Sequence, residues 1–274
     1  MNRTERSARR ALVRRRIPGA DRGIAYISGG VEMRVFVSGV LDGPPVVLVH
    51  GIGMGHAYWG GLSELLGAHR RVIAVDLPGF GESPDPERSM SMAETGAYLA
   101  GFLRDWGLVN TLLIGHSMGT QIVGEAAAQA PELLGGVGLF APTVNRDERS
   151  AVQQSLRLMQ DATSLRPTVA YYGIRYYLMA GPRWYFAQLG RMIPHRAERA
   201  YARITAPTLV VRGERDPLCP PDWCASVTAM IPGAQMRTLH GHGHETMITG
   251  YEEVYEKIVE RFGTGPLDGE IGRP

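Results

Sequence analysis

Short, mostly apolar runs recur along the chain at 46–49, 71–75, 111–114, 136–140 and 208–211, and 235–239 is a further predicted strand. The first, Val46-Val47-Leu48-Val49, is apolar at every position and mostly β-branched, the pattern of a strand covered on both faces. Residues 24–28 and 31–37 are β-rich and are separated by Gly29-Gly30, which predicts a hairpin with a glycine turn. Segments of helical periodicity, such as 91–106 and 118–130, separate most of the later runs. Strand, loop, helix and strand in repetition predict an α/β fold, a mostly parallel eight-stranded sheet flanked by helices through right-handed crossovers.

The alternation stops over 143–203, where no strand pattern occurs. Val152, Leu156 and Met159 stand at helical spacing within 146–162, and Pro167, Gly181-Pro182 and Pro194 then mark three shorter helical pieces. The chain therefore divides into an arm (1–22), a core (23–141 and 204–262), a helical lid (142–203) and a tail (263–274). Seven of the 21 aromatic residues fall within 171–186 of the lid, including Tyr172, Tyr176 and Trp184. They serve either as ordinary helix packing or as an apolar wall for a substrate.

Composition narrows the class. With 44% apolar and 20% charged residues among 274, the chain has the profile of a folded domain, not of a disordered one. It has neither a spanning apolar stretch nor an apolar signal core, so the expected setting is cytoplasmic, without stable membrane insertion. Two cysteines, Cys219 and Cys224, are too few for a disulfide scaffold and read as reduced structural thiols. Residues 1–16 hold seven arginines and one acid, a charge of +6, which leaves about −4 for the rest of a chain whose total is +2. That arm reads as a solvated tail, with attraction to an anionic surface or an organellar address as minor readings. No nucleic-acid partner is implied.

The chemistry gathers where strands end. Residues 111–114 lead into Gly115-His116-Ser117-Met118-Gly119 and then a helical run, a G-x-S-x-G pattern between strand and helix. A sharp turn there lifts the serine hydroxyl clear of the sheet and sets it at a helix N-terminus, where free N–H groups suit an oxyanion. Ser117 needs a base, and the histidines of 239–245 follow the last predicted strand. His244 is favoured and His242 is the runner-up. The acid that orients the base is Asp216, in the loop after 208–211, with Glu214 a weaker alternative. Met118 N–H supplies one oxyanion donor, and Ile52 N–H, in His50-Gly51-Ile52-Gly53, supplies the second. His50 reads equally well as a structural residue at a tight strand exit.

Together HGIG at 50–53, DLPGFGES at 76–83, GHSMG at 115–119, GERDP at 213–217 and GHGH at 241–244 resemble the α/β-hydrolase superfamily, in its order, over about residues 24–262. The resemblance implies the α/β-hydrolase fold with a helical lid. It also implies Ser117 as nucleophile, Asp216 as acid, His244 as base, and Ile52 and Met118 as oxyanion donors. A serine at the elbow disfavours the branches that use aspartate there. Gly51, Tyr172, Tyr176 and Trp184 are candidates for substrate contact. Asp76 is expected to hold a loop, His116 to pack beneath the nucleophile, and Trp59 to pack a helix or touch the pocket mouth with His56. No metal or cofactor is implied: the three alternating histidines lack an accompanying carboxylate or thiol at ligand spacing, and no G-x-G-x-x-G joins a strand to a helix.

The expected activity is hydrolysis of an ester, thioester or lactone with an apolar acyl part, on a small-molecule substrate, by a monomer or homodimer. The alternatives are a carbon–carbon bond hydrolase of vinylogous diketones with a carboxylate held by Arg175 or Arg183, a lyase or cyclase, and a non-catalytic small-molecule receptor.

Overall fold

The computed structural model describes residues 23–150 and 167–267, together with Val152, Gln153, Arg157 and Gln160 between them. The expected arm, eight of the 17 residues of the expected helix over 146–162 and the end of the tail lie outside the described residues. Chain order begins with β1 (Ile24–Ser28), β2 (Val31–Gly39), β3 (Pro45–Val49), α1 (Gly60–Gly67), β4 (Arg71–Asp76) and α2 (Met92–Asp105). It continues with β5 (Thr111–His116), α3 (Met118–Gln129), β6 (Leu134–Phe140), α4 (Pro167–Ala180), α5 (Pro182–Met192) and α6 (Glu198–Tyr201). It closes with β7 (Thr208–Gly213), α7 (Pro221–Met230), β8 (Gln235–Leu239), α8 (Thr246–Thr249) and α9 (Tyr251–Phe262).

The eight strands form one sheet in the order β1-β2-β4-β3-β5-β6-β7-β8 among the described residues. β1 and β2 pair antiparallel around the predicted glycine turn, β2 pairs antiparallel with β4, and every later pairing is parallel. The continuous apolar runs follow from burial on two sides. Val47, Val49, Ile73, Val75 and Leu113 join one core cluster, while their neighbours Val46, Leu48, Val72, Leu112 and Ile114 join the other. Successive side chains of a strand point to opposite faces, so a strand with helices on both faces has no polar positions to alternate with.

α2 and α3 supply Leu99, Phe102, Leu103, Ile122 and Val123 to the first cluster. α1 and α9 supply Leu62, Leu66, Val254, Ile258 and Phe262 to the second. α2 is fixed at its start by a capping box: Ser91 Oγ accepts the Glu94 N–H and the Glu94 carboxylate accepts the Ser91 N–H. Between β6 and β7 the described chain is helical or irregular, as the sequence predicts. Gly181 separates α4 from α5, and Pro182 opens α5 at its first turn.

Candidate active site

Ser117 sits between β5 and α3 with φ 52° and ψ −121°, a backbone state that a serine adopts only under constraint. The constraint is local. Ser117 N–H donates to Phe140 O at 2.9 Å, and Ser117 O accepts the N–H of Thr120 at 2.9 Å. Glycine on either side lets the turn close: a Cβ on Gly119 would strike the Val49 carbonyl oxygen, and one on Gly115 the Gly119 carbonyl oxygen. Met118 is the first residue of α3, so its N–H has no partner within the helix.

The loops after β7 and β8 bring Asp216 and His244 together. His244 Nδ1 lies 2.8 Å from Asp216 Oδ2, and the carboxylate side chain is fully buried. Asp216 Oδ1 accepts the N–H groups of Leu218 at 2.8 Å and Cys219 at 3.1 Å. Oδ1 thus holds the carboxylate in its loop and leaves Oδ2 turned to the imidazole.

Gly51 N–H donates to Tyr58 Oη at 3.2 Å, and a Cβ on Gly51 would stand only 3.0 Å from Ser117 Cβ. The loop after β3 therefore lies directly against the elbow. The backbone N–H of Ile52 in that loop has no acceptor among the described residues. His50 is a structural residue: Nε2 accepts the Leu77 N–H at 2.9 Å and Nδ1 donates to Gly51 O at 2.7 Å. Complete burial lowers its pKa, keeping it neutral.

His116 lies beneath the serine, as the sequence suggests. Its Nε2–H donates to the His244 carbonyl at 3.0 Å and the two rings stand 4.8 Å apart. Burial pushes its pKa well below the ordinary histidine value, and neighbouring His244 adds to the effect. The last residue of β5 and the loop after β8 are thus tied together across 128 positions of sequence.

Other candidates fall into place around this centre. His242 does not join the pair: its Nδ1 is 3.0 Å from Thr249 Oγ1 and its Nε2 is 3.5 Å from Glu253. Glu214 is exposed and holds His240 and the Gly241 N–H. Asp76 holds a loop, accepting the N–H groups of His56 at 2.5 Å and Glu82 at 2.7 Å. Burial raises the Asp76 pKa, but His56 and the hydrogen bonds outweigh that effect and hold it below the usual carboxylate range. Trp59 is fully buried in the core. Cys219 and Cys224 are buried free thiols. Among the described residues, no group of three His, Cys, Asp or Glu could hold a metal ion.

Tyr176 Oη accepts the Ala57 N–H at 3.1 Å, Tyr172 stacks on Tyr176 with centroids 6.4 Å apart, and Trp184 packs over Gly79. α4 and α5 thereby rest on the loops after β3 and β4. Two residues, Thr143 and Tyr185, were not singled out for the places they occupy, whereas Arg175 was a candidate. Thr143 Oγ1 lies 3.4 Å from Ser117 Oγ, with its carbonyl held by Gln121 Nε2 at 2.7 Å. Tyr185 packs against Gly53. Arg175 is buried over the Tyr176 ring at 4.8 Å, with no hydrogen-bond partner for Nε or Nη2 among the described residues. A threonine in the loop after β6 and a tyrosine among the aromatics of 171–186 carry no sequence signal of their own.

Comparison with known proteins places this geometry. Residues 46–257, well over half of the chain, match the model of the alpha/beta hydrolase family. A 2-hydroxy-6-oxononadienedioate/2-hydroxy-6-oxononatrienedioate hydrolase of Cupriavidus pinatubonensis is 26% identical over 260 residues, covering 82% of this chain and 89% of that protein. A pimeloyl-[acyl-carrier protein] methyl ester esterase of Xanthomonas oryzae pv. oryzae is 25% identical over 254 residues, covering 80% and 95%. The crystal structure of a hydrolase from Pseudomonas aeruginosa shares the fold, with a TM-score of 0.77 at 21% identity over 89% of this chain and 100% of that one. The chain is an enzyme and belongs to the α/β hydrolase family.

Proposed function

We propose that this enzyme is a serine hydrolase that cleaves a carboxylic ester, thioester or lactone with an apolar acyl part through an acyl-enzyme. Ser117 Oγ attacks the carbonyl carbon while His244 Nε2 takes its proton. Asp216 fixes the imidazole tautomer and stabilises the imidazolium. The N–H groups of Ile52 and Met118 hold the oxyanion. His244 then protonates the leaving group, and water repeats the sequence to release the acid. α4 and α5 act as the lid, and Gly51, Tyr172, Tyr176 and Trp184 line the way to the serine. The observation that carries this reading is the buried 2.8 Å contact of His244 Nδ1 with Asp216 Oδ2, on a histidine whose carbonyl is held by the residue that precedes a serine at φ 52°.

Ser117→Ala should lower turnover of a chromogenic short-chain ester by about 10⁴-fold or more. Circular dichroism should show the same fold. A fluorophosphonate should label the wild type and not the variant. Wild-type turnover in Ser117→Ala would end the assignment, and an unlabelled wild type would favour the receptor alternative.

A second reading is hydrolysis of a carbon–carbon bond in an acid-bearing vinylogous diketone, the reaction type named for the Cupriavidus relative. It is favoured by Arg175, whose buried and unpartnered guanidinium nitrogens suit a carboxylate. Rates on an ester and on a ring-fission diketone distinguish the two. Arg175→Gln should raise KM for the diketone alone.

A further inference from the structure

The outer faces of α4 and α5 carry large apolar side chains that stand exposed among the described residues. On α4, Tyr171, Ile174 and Leu178 follow Pro167 at i+4, i+7 and i+11, one stripe of a helix, and all are exposed. On α5, Phe186 stands out between the exposed Arg183 and Arg191. Ile174 is 63% exposed and Phe186 61%, levels at which a large apolar residue contributes nothing to the core.

The charge around these side chains is one-sided. Residues 167–197 contain no Asp or Glu, and three of their four arginines, Arg183, Arg191 and Arg196, are exposed. Excluding residues 1–16, the chain is net acidic, so this stretch runs against its background. Apolar side chains flanked by exposed arginines, in a segment without a carboxylate, make up the pattern of a helix face that lies in a lipid–water interface. The apolar groups enter the acyl boundary, the aromatic rings sit at headgroup level, and the guanidinium groups reach the phosphates. One such signal gives a weak, reversible attachment.

We propose that the exposed face of α4 and α5 docks on an anionic phospholipid surface. The occupant is a bilayer surface, not a transmembrane environment, since no helix among the described residues is long and apolar enough to cross a membrane. This attachment does not depend on the reaction proposed above.

The test is co-sedimentation of the full chain with phosphatidylcholine vesicles and with mixed phosphatidylcholine–phosphatidylglycerol vesicles. The expected result is partition onto the phosphatidylglycerol vesicles only, decreasing as salt is raised. Ile174→Glu combined with Phe186→Glu should reduce that partition by about tenfold or more. Both side chains are exposed and outside the proposed catalytic groups, so the variant should keep wild-type turnover of a water-soluble ester and the same melting curve. Absence of wild-type sedimentation with either vesicle would overturn the proposal and favour a protein partner. Equal partition onto both vesicle types would remove the anionic surface. Undiminished binding by the double variant would assign the attraction to the arm alone. A wild-type dimer on gel filtration that the double variant makes monomeric, with no vesicle binding, would identify the face as a self-association surface.

Discussion

Asp216 uses its two oxygens differently. Oδ2 meets His244 Nδ1, while Oδ1 collects the Leu218 and Cys219 N–H groups and fixes the carboxylate in its loop. Asp216→Asn keeps an acceptor for the loop but loses the charge and the tautomer control. It should lower kcat by roughly 10⁴-fold while changing the urea midpoint little, a split that steady-state kinetics and denaturation measure together. Asp216 and the histidine cluster are legible in the sequence because each follows a recognisable strand and sits in a turn-forming loop. Choosing His244 over His242 is a tertiary matter, decided by Thr249 and Glu253 on the helices that follow. Arg175 and Arg183 look alike in the sequence, yet one is buried and the other exposed.

Among the elements, the long buried strands and α2 and α3 are read most directly, because burial on two faces and helical periodicity write themselves into the side chains. β6 starts at Leu134, two residues before its apolar run, because Leu134 pairs with Thr111 and the register then shifts past Gly135, which leaves no side-chain pattern. The four-residue α6 and α8 are too short to show a period. The start of α2 depends on a local device instead. Ser91→Ala removes the side-chain acceptor of its capping box and should cost about 1 kcal/mol in urea denaturation, with no change in ester turnover.

Over the whole molecule, strand count and the parallel majority follow from the repeating pattern, whereas strand order depends on contacts far apart in sequence. Global stability also has a pH signature. His50 and His116 are buried and neutral, with pKa values pushed below the ordinary value by desolvation. The unfolded chain therefore binds more protons than the folded one below about pH 6.5, and stability falls as pH drops through that value. His116→Gln keeps a hydrogen-bond donor but no titrating ring. Its unfolding free energy should decline less steeply than that of the wild type between about pH 7 and pH 5, in urea titrations at each pH.

The bond from His116 to the His244 carbonyl has a further bearing on heating. It anchors the last loop to the buried centre of the sheet, so that loop cannot loosen on its own while the centre holds. Catalytic output and near-ultraviolet ellipticity should therefore vanish in a single shared transition, with no warm interval in which an inert yet intact protein accumulates.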